Sequence, residues 1–306
     1  MKKNITVILL IVFTSLVYSA QNKKKIKEII SIEYNIQEKF GNIIKTIKEK
    51  TISKFDNNGD MIEKATYNDR GMIVEDILGI AKTTYKRDNR RIVERSNYKA
   101  NGSLISKIIK KYDGNGNNTE WSEYNSNGSL GEKVICKYDN KHHIIEMAIY
   151  SGDGSLKEKE TYKYNEYGDR IEATRYRVYG SLFRKQIYKY DSNRNKIEKA
   201  IYNGDNILYY KVIYKYDSSR NLTEETEYNK DGSLVGKQIH KYDSNKNEIE
   251  LAGYNADGLL YYKIVSKYNS NQHRIESAFY KIVEKFGQRL LEELNSLSEF
   301  QYIYYN

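Results

Sequence analysis

A tyrosine that returns every 26 residues limits this chain to a repeat architecture. Phe55, Tyr85, Tyr112, Tyr138, Tyr164, Tyr190, Tyr216, Tyr242 and Tyr268 open nine successive units, and seven of the eight spacings fall within one residue of 26. A second series runs twelve or thirteen residues behind, at Tyr67, Tyr98, Tyr124, Tyr150, Tyr176, Tyr202, Tyr228, Tyr254 and Tyr280. A unit this small cannot bury its own apolar surface, so its neighbours must cover it.

One unit shows what the period builds. Lys185 to Asp191 and Lys196 to Tyr202 are tracts of Tyr, Ile and Lys parted by a polar turn, and Asn203-Gly-Asp or Asn229-Lys-Asp-Gly leads onward. Such punctuation between alternating tracts signals a hairpin. Tight turns join only antiparallel neighbours. The predicted fold is therefore all-β, an antiparallel meander of about 18 strands from nine hairpin repeats, twisted or spiral because large sheets do not stay flat. Proline is wholly absent, which suits uninterrupted ladders.

Residues 55–280 form the repeat domain, and residues 21–54 and 281–306 are predicted to cap open sheet edges that would otherwise aggregate. Arg289 to Leu297 places Leu290, Leu291, Leu294 and Leu297 on one side of a short predicted amphipathic helix. An insertion around Asp76 to Lys82 widens the first loop between strands.

Turns centred on Asn193-Arg194 and Asp231-Gly232 set Tyr190 opposite Ile197, Lys189 opposite Glu198, Ile187 opposite Ala200, Tyr228 opposite Val235 and Thr226 opposite Lys237. Both turns agree on which residues share a face, although a one-residue slip would reverse every side chain. One face then carries a glutamate in every unit, from Glu63 to Glu276, flanked by lysines such as Lys189 and Lys185 with small residues between. The other face carries the leucines, the opening tyrosines and most isoleucines, and is expected to be the concave or packed one. Nine equivalent carboxylates, nearly all with a lysine opposite, describe scaffolding rather than catalysis.

The formal charge of +10 comes from 51 basic and 41 acidic residues spread along the whole chain. Nucleic-acid binding favours a concentrated basic stripe, so no nucleic-acid partner is expected. Lys2 and Lys3, the apolar run Ile5 to Val17 and Ser19-Ala20 mark residues 1–20 as a cleaved signal peptide, which removes two charges and gives a secreted, periplasmic or cell-surface protein. Nothing else is apolar enough to cross a membrane. Cys136 is the sole cysteine, so no internal disulfide can form, and a packed thiol is expected rather than a nucleophile.

The motif Lys-Tyr-Asp-x-x-x-Asn followed by Ile-Glu, at Lys189 to Glu198 and Lys241 to Glu250, resembles the YD repeats of Rhs-like bacterial proteins from Phe55 to Tyr280. That resemblance implies antiparallel strands wound into a spiral sheet, which in large members encloses a toxic cargo, and implies carbohydrate binding or cell-surface contact. Lysine stands here where that family has arginine before the tyrosines, and the turn glycine survives at Gly59, Gly116 and Gly168. Without proline the proline-containing self-cleavage signature is impossible. A short secreted relative is the expectation, not a toxin shell.

Asp191-x-Asn193-x-Asn195 begins like a calcium loop, but Lys196 and Tyr202 stand where glycine and glutamate belong, so it reads as a hairpin turn. His142, His143, His240 and His273 lack metal-site spacing, and neither metal nor cofactor is expected. No phosphate loop, nucleophile elbow or isolated carboxylate pair appears, so the chain is not read as an enzyme. The candidate ligand-binding residues are Tyr162, Tyr164, Tyr188, Tyr190, Tyr214 and Tyr216, which share a face in three successive units. Their amphipathic rings suit stacking on a surface glycan or an envelope protein. Sheet packing also recruits tyrosine, which leaves a structural envelope scaffold as the alternative. Exposure separates the two: a binding strip stays open, whereas a scaffold buries it.

Overall fold

Eight of the nine units turn on an Asp or Asn whose side chain captures the loop's own amides, and the Tyr85 unit turns on the two residues Asn89-Arg90. The computed structural model describes residues 25–39, 42–285 and 288–304, so the expected signal peptide lies outside the described residues. Asp191 Oδ1 accepts from the amides of Asn193 at 2.9 Å and Asn195 at 2.8 Å, and its Oδ2 accepts from Asn195 Nδ2 at 2.9 Å. The Asp191 amide donates to the Asn195 carbonyl, and Arg194, at φ 66°, donates back to the Asp191 carbonyl. This is a type I turn closed by a left-handed residue, longer than a two-residue hairpin loop. Gly116 and Gly168 meet that φ requirement without strain, while Arg194, Arg220 and Lys246 adopt it with a side chain.

The longer turn corrects the predicted register at the tyrosines. Tyr190 faces Lys196 rather than Ile197, and Tyr228 faces Leu234 rather than Val235, because a bulge absorbs one residue beside each. Beyond the bulge the expected pairs hold, with Lys189 opposite Glu198, Ile187 opposite Ala200 and Thr226 opposite Lys237. Seven of the opening tyrosines then stitch their hairpins to the previous ones. Tyr112, Tyr138, Tyr164, Tyr190, Tyr216, Tyr242 and Tyr268 donate their hydroxyls, at 2.7–3.0 Å, to the carbonyl 20 residues upstream. That carbonyl belongs to the residue at the neighbouring bulge, where ladder pairing is disrupted.

Twenty strands result, numbered in chain order. β1 (Ile26–Lys39) pairs with β2 (Asn42–Phe55), and β19 (Arg274–Lys285) with β20 (Gln288–Tyr304). β20 also pairs with β1, from Ile26 opposite Tyr304 to Asn35 opposite Ser296, so the sheet returns on itself as a closed barrel. Two expectations change. The terminal segments are wall strands, not covers over edges, and the helix predicted from Arg289 to Leu297 is part of β20. β20 is laddered to β19 from Gln288 to Glu299 and to β1 from Ser296 to Tyr304, pairing that a helix would not provide. Its described leucines fit a strand as well: Leu294 lies opposite Tyr280, and Leu297, at 4% exposure, opposite Ala278.

Register sets the size of the barrel. Following the ladder from Glu120 through Ile135 to Ala148 crosses one repeat yet lands two residues past Glu146. One residue of stagger per strand, at a rise of about 3.3 Å and a spacing of about 4.8 Å, tilts the strands by roughly 35°. Twenty such strands close at a backbone radius of roughly 18 Å, too wide for side chains to meet across the middle.

The two faces differ as the alternation predicts. On one, Glu120 takes Lys111 at 2.8 Å and Lys133 at 2.9 Å, and Glu146 takes Lys137 at 2.8 Å and Lys159 at 2.6 Å. Mostly small residues are buried beneath this lattice, including Ser122 and Ala148, with Ile30 and Leu297 the larger exceptions at the terminal strands. On the other face long side chains are enclosed: Val134 fully, with Ile201, Val212, Tyr188 and Tyr214 close behind. Curvature brings inner side chains together and splays outer ones, so this second face lines the lumen. Charges stand mid-strand on both faces, at Glu120 outside and at Glu160 and Arg175 inside. Neither face offers the apolar band that a membrane-spanning barrel presents to lipid. No described helix is long and apolar enough to cross a membrane.

Candidate functional site

The predicted tyrosines lie on alternate members of a run of five strands, on β10 (Leu156–Tyr164), β12 (Leu182–Tyr190) and β14 (Leu208–Tyr216), with β11 (Arg170–Arg177) and β13 (Lys196–Asn203) between them. Alternation puts all six tyrosines on the lumenal face, two per even strand. The two columns have different environments. Tyr164, Tyr190 and Tyr216 sit beside the bulges with their hydroxyls committed to backbone carbonyls, so they serve the wall. Tyr162, Tyr188 and Tyr214 lie deeper along the strands. Tyr188 and Tyr214 are only 8% and 9% exposed, which favours packing over an open stacking platform.

Cations cover these deeper rings. The Arg170 guanidinium lies over both Tyr162, at 5.4 Å, and Tyr188, at 5.2 Å from the ring centres. Lys196 Nζ stands 4.4 Å above the centre of Tyr214. Such contacts favour the charge electrostatically, more so when water is excluded. Burial drives the phenol pKa of Tyr162, Tyr188 and Tyr214 upward, with Arg170 opposing the rise at the first two. Burial also lowers the Lys196 pKa, aided by Lys199, while Glu225 opposes it.

Nearby acids are paired with other cations or shifted by burial. Arg175 holds Glu160 at 3.1 Å and Glu158 at 3.5 Å. Burial raises the Glu225 pKa against the pull of His240 and Lys196. Among the described residues no carboxylate lies within ion-pair distance of Arg170 or Lys196. The two cations share a cavity of about 320 Å³ with Tyr164, Gly168, Tyr188 and Tyr190.

Sequence reasoning passed over Arg170 and Lys196, although the signal was present. Both occupy the first strand position after the turn, where other units carry Asn118, Ile144, Leu222, Glu248 and Arg274. Two neighbouring cations in an otherwise mixed column break the repeat. The remaining candidates stay modest. Cys136 is half-buried and its thiol pKa is raised by burial. His143 stacks on Tyr164 at 4.6 Å and bonds Asp139 at 3.0 Å, within the turn array.

No protein-family model matches the chain, and no curated protein matches it. Among solved structures it is similar to a porin-like protein from Bacteroides uniformis ATCC 8492, at 9% identity over 91% of this chain and 96% of that one, with a TM-score of 0.39. It is also similar to TcdB2-TccC3 without its hypervariable C-terminal region, at 13% identity and a TM-score of 0.33, over 85% of this chain and 16% of that one. A porin-like protein from Bacteroides vulgatus ATCC 8482 gives 10% identity and a TM-score of 0.28, over 91% and 99% of the two chains. At these values the likenesses carry no functional weight.

Proposed function

We propose that this protein is an exported, non-enzymatic binding module of the cell envelope that holds a surface glycan against the lumenal wall of its barrel. The carrying observation is the Arg170–Lys196 cavity, with tyrosines around it and, among the described residues, no carboxylate within ion-pair distance of either cation. A repeat that only built a wall would have no need of it. The YD-like motif and the signal-like first 20 residues support export and surface contact. A glycan array probed with the purified chain tests the reading. Binding to at least one glycan class, weakened by Tyr188→Ala in a protein that still melts cooperatively, is expected. An array with no retained glycan refutes it.

One specific observation favours a structural scaffold instead: the burial of Tyr188 and Tyr214, together with the tyrosine hydroxyls donated to backbone along the wall. Edge-to-edge assembly of such a scaffold is confined to the terminal hairpins, because β1 and β20 seal the sheet between Ile26 and Asn35 while residues 42–49 of β2 have ladder partners on β1 alone.

A further inference from the structure

We propose that the cavity between β11 and β13 recognises a negatively charged sugar, with Arg170 and Lys196 taking the acidic group and the rims of Tyr188 and Tyr190 meeting the ring. This rests on the reading that the lumenal wall binds a glycan, and adds the class of ligand.

Three independent observations converge. Arg170 and Lys196 follow consecutive turns and line the same cavity, so two positive groups meet in one place. Neither has an ion-pair partner among the described residues, whereas Glu120, Glu146 and Glu160 on nearby strands each hold a cation. Arg170 is exposed and Lys196 half-buried, so both are reachable, and an incoming carboxylate or sulfate can take charge-assisted hydrogen bonds from the two together. Lys199 adds positive potential to the same wall. Finally, the tyrosines fix the cations in place. Arg170 is sandwiched between the rings of Tyr162 and Tyr188, and its own carbonyl receives the Tyr190 hydroxyl at 2.9 Å, so the guanidinium is positioned before any ligand arrives. Pre-positioning reduces the ordering lost on binding. The cavity of about 320 Å³ lies near the lower end of the range typical of small-ligand sites, which suits one or two sugar residues of a longer chain.

The test compares a uronic-acid oligosaccharide with the same oligosaccharide after its carboxylates are reduced to alcohols, titrated calorimetrically into the purified full chain, with sodium sulfate as a third probe. The acidic form is expected to bind at least tenfold more tightly than the reduced form. Arg170→Gln with Lys196→Gln should remove that difference, and Arg170→Lys with Lys196→Arg should restore part of it. Both pairs keep the backbone carbonyls that Tyr190 and Tyr216 use, so unfolding midpoints should stay near wild type. Equal affinity for acidic and reduced forms overturns the acidic assignment and leaves glycan binding standing. Sulfate binding as tightly as the oligosaccharide overturns the sugar assignment, and no binding of either oligosaccharide overturns both this inference and the function it rests on.

Discussion

Removing one hydroxyl from the tyrosine ladder should weaken the whole barrel by a predictable amount. In Tyr138→Phe the ring stays and only the 2.7 Å bond to the Asn118 carbonyl is lost. A typical hydrogen bond contributes about 0.5–1.5 kcal/mol net, and a partly buried carbonyl left unpaired raises the loss to about 1–2 kcal/mol. With a urea m-value near 3 kcal/mol/M for a chain of this size, the unfolding midpoint should fall by about 0.3–0.7 M. Tyr242→Phe removes the equivalent 2.9 Å bond to Leu222 four repeats away. Eight strands at about 4.8 Å separate the two sites, so the double variant should show the sum of the single effects. Tyr150→Phe is the control, since its hydroxyl makes no hydrogen bond among the described residues; its midpoint should move by less than about 0.2 M on the same scale. Urea titrations followed by circular dichroism decide the matter. If Tyr138→Phe and Tyr150→Phe shift the midpoint equally, the ladder is not what binds repeat to repeat.

Two further outcomes follow from the turns. Asp113, Asp191 and Asp243 have pKa values lowered by hydrogen bonds from the side chains of Asn117, Asn195 and Asn247, with loop amides adding to the effect. A carboxyl whose folded pKa lies below its unfolded one stabilises the fold fully above the unfolded value, about 3.9, and that stability is lost as pH falls through the folded value. The urea midpoint should therefore drop below about pH 4, and Asp→Asn at all three sites should flatten that drop, as Asn165 already accepts the same amide bonds. A drop of unchanged size in the triple variant would show that other groups carry the acid sensitivity. Gly168→Ala puts a methyl at φ +83° and within 2.8 Å of His143 Nε2, which should cost about 1–2 kcal/mol in a thermal melt. An unchanged melt would mean the turn relaxes without strain.

Much of the wall was legible because the same residues recur in every unit. Glu198 beside Lys189, Ala200 beside Ile187 and the segregation of leucines from glutamates follow from period and alternation alone. The bulge at Tyr190 was not legible from alternation, because it depends on Arg194 entering the left-handed region, and arginine gives little warning of that. Closure was hidden for a different reason. It depends on Ile26 meeting Tyr304 and Asn35 meeting Ser296, and local patterning cannot say which distant strands pair. The leucines of β20 read equally well as one side of a helix, and the continuous ladder with β19 decided against it. At the candidate site, the tyrosines were found by repetition, but the cations that distinguish one stretch of wall from the rest show only as a lapse in repetition.

The seam between β1 and β20 also has a temporal meaning. It joins residues more than 260 positions apart, such as Asn35 and Ser296, so the first strand made must wait for the last before the ring can be sealed. Until then the growing chain is a ribbon with two raw edges, each able to recruit a strand from another copy. During synthesis, the interval before closure is when this protein most needs protection from its own kind.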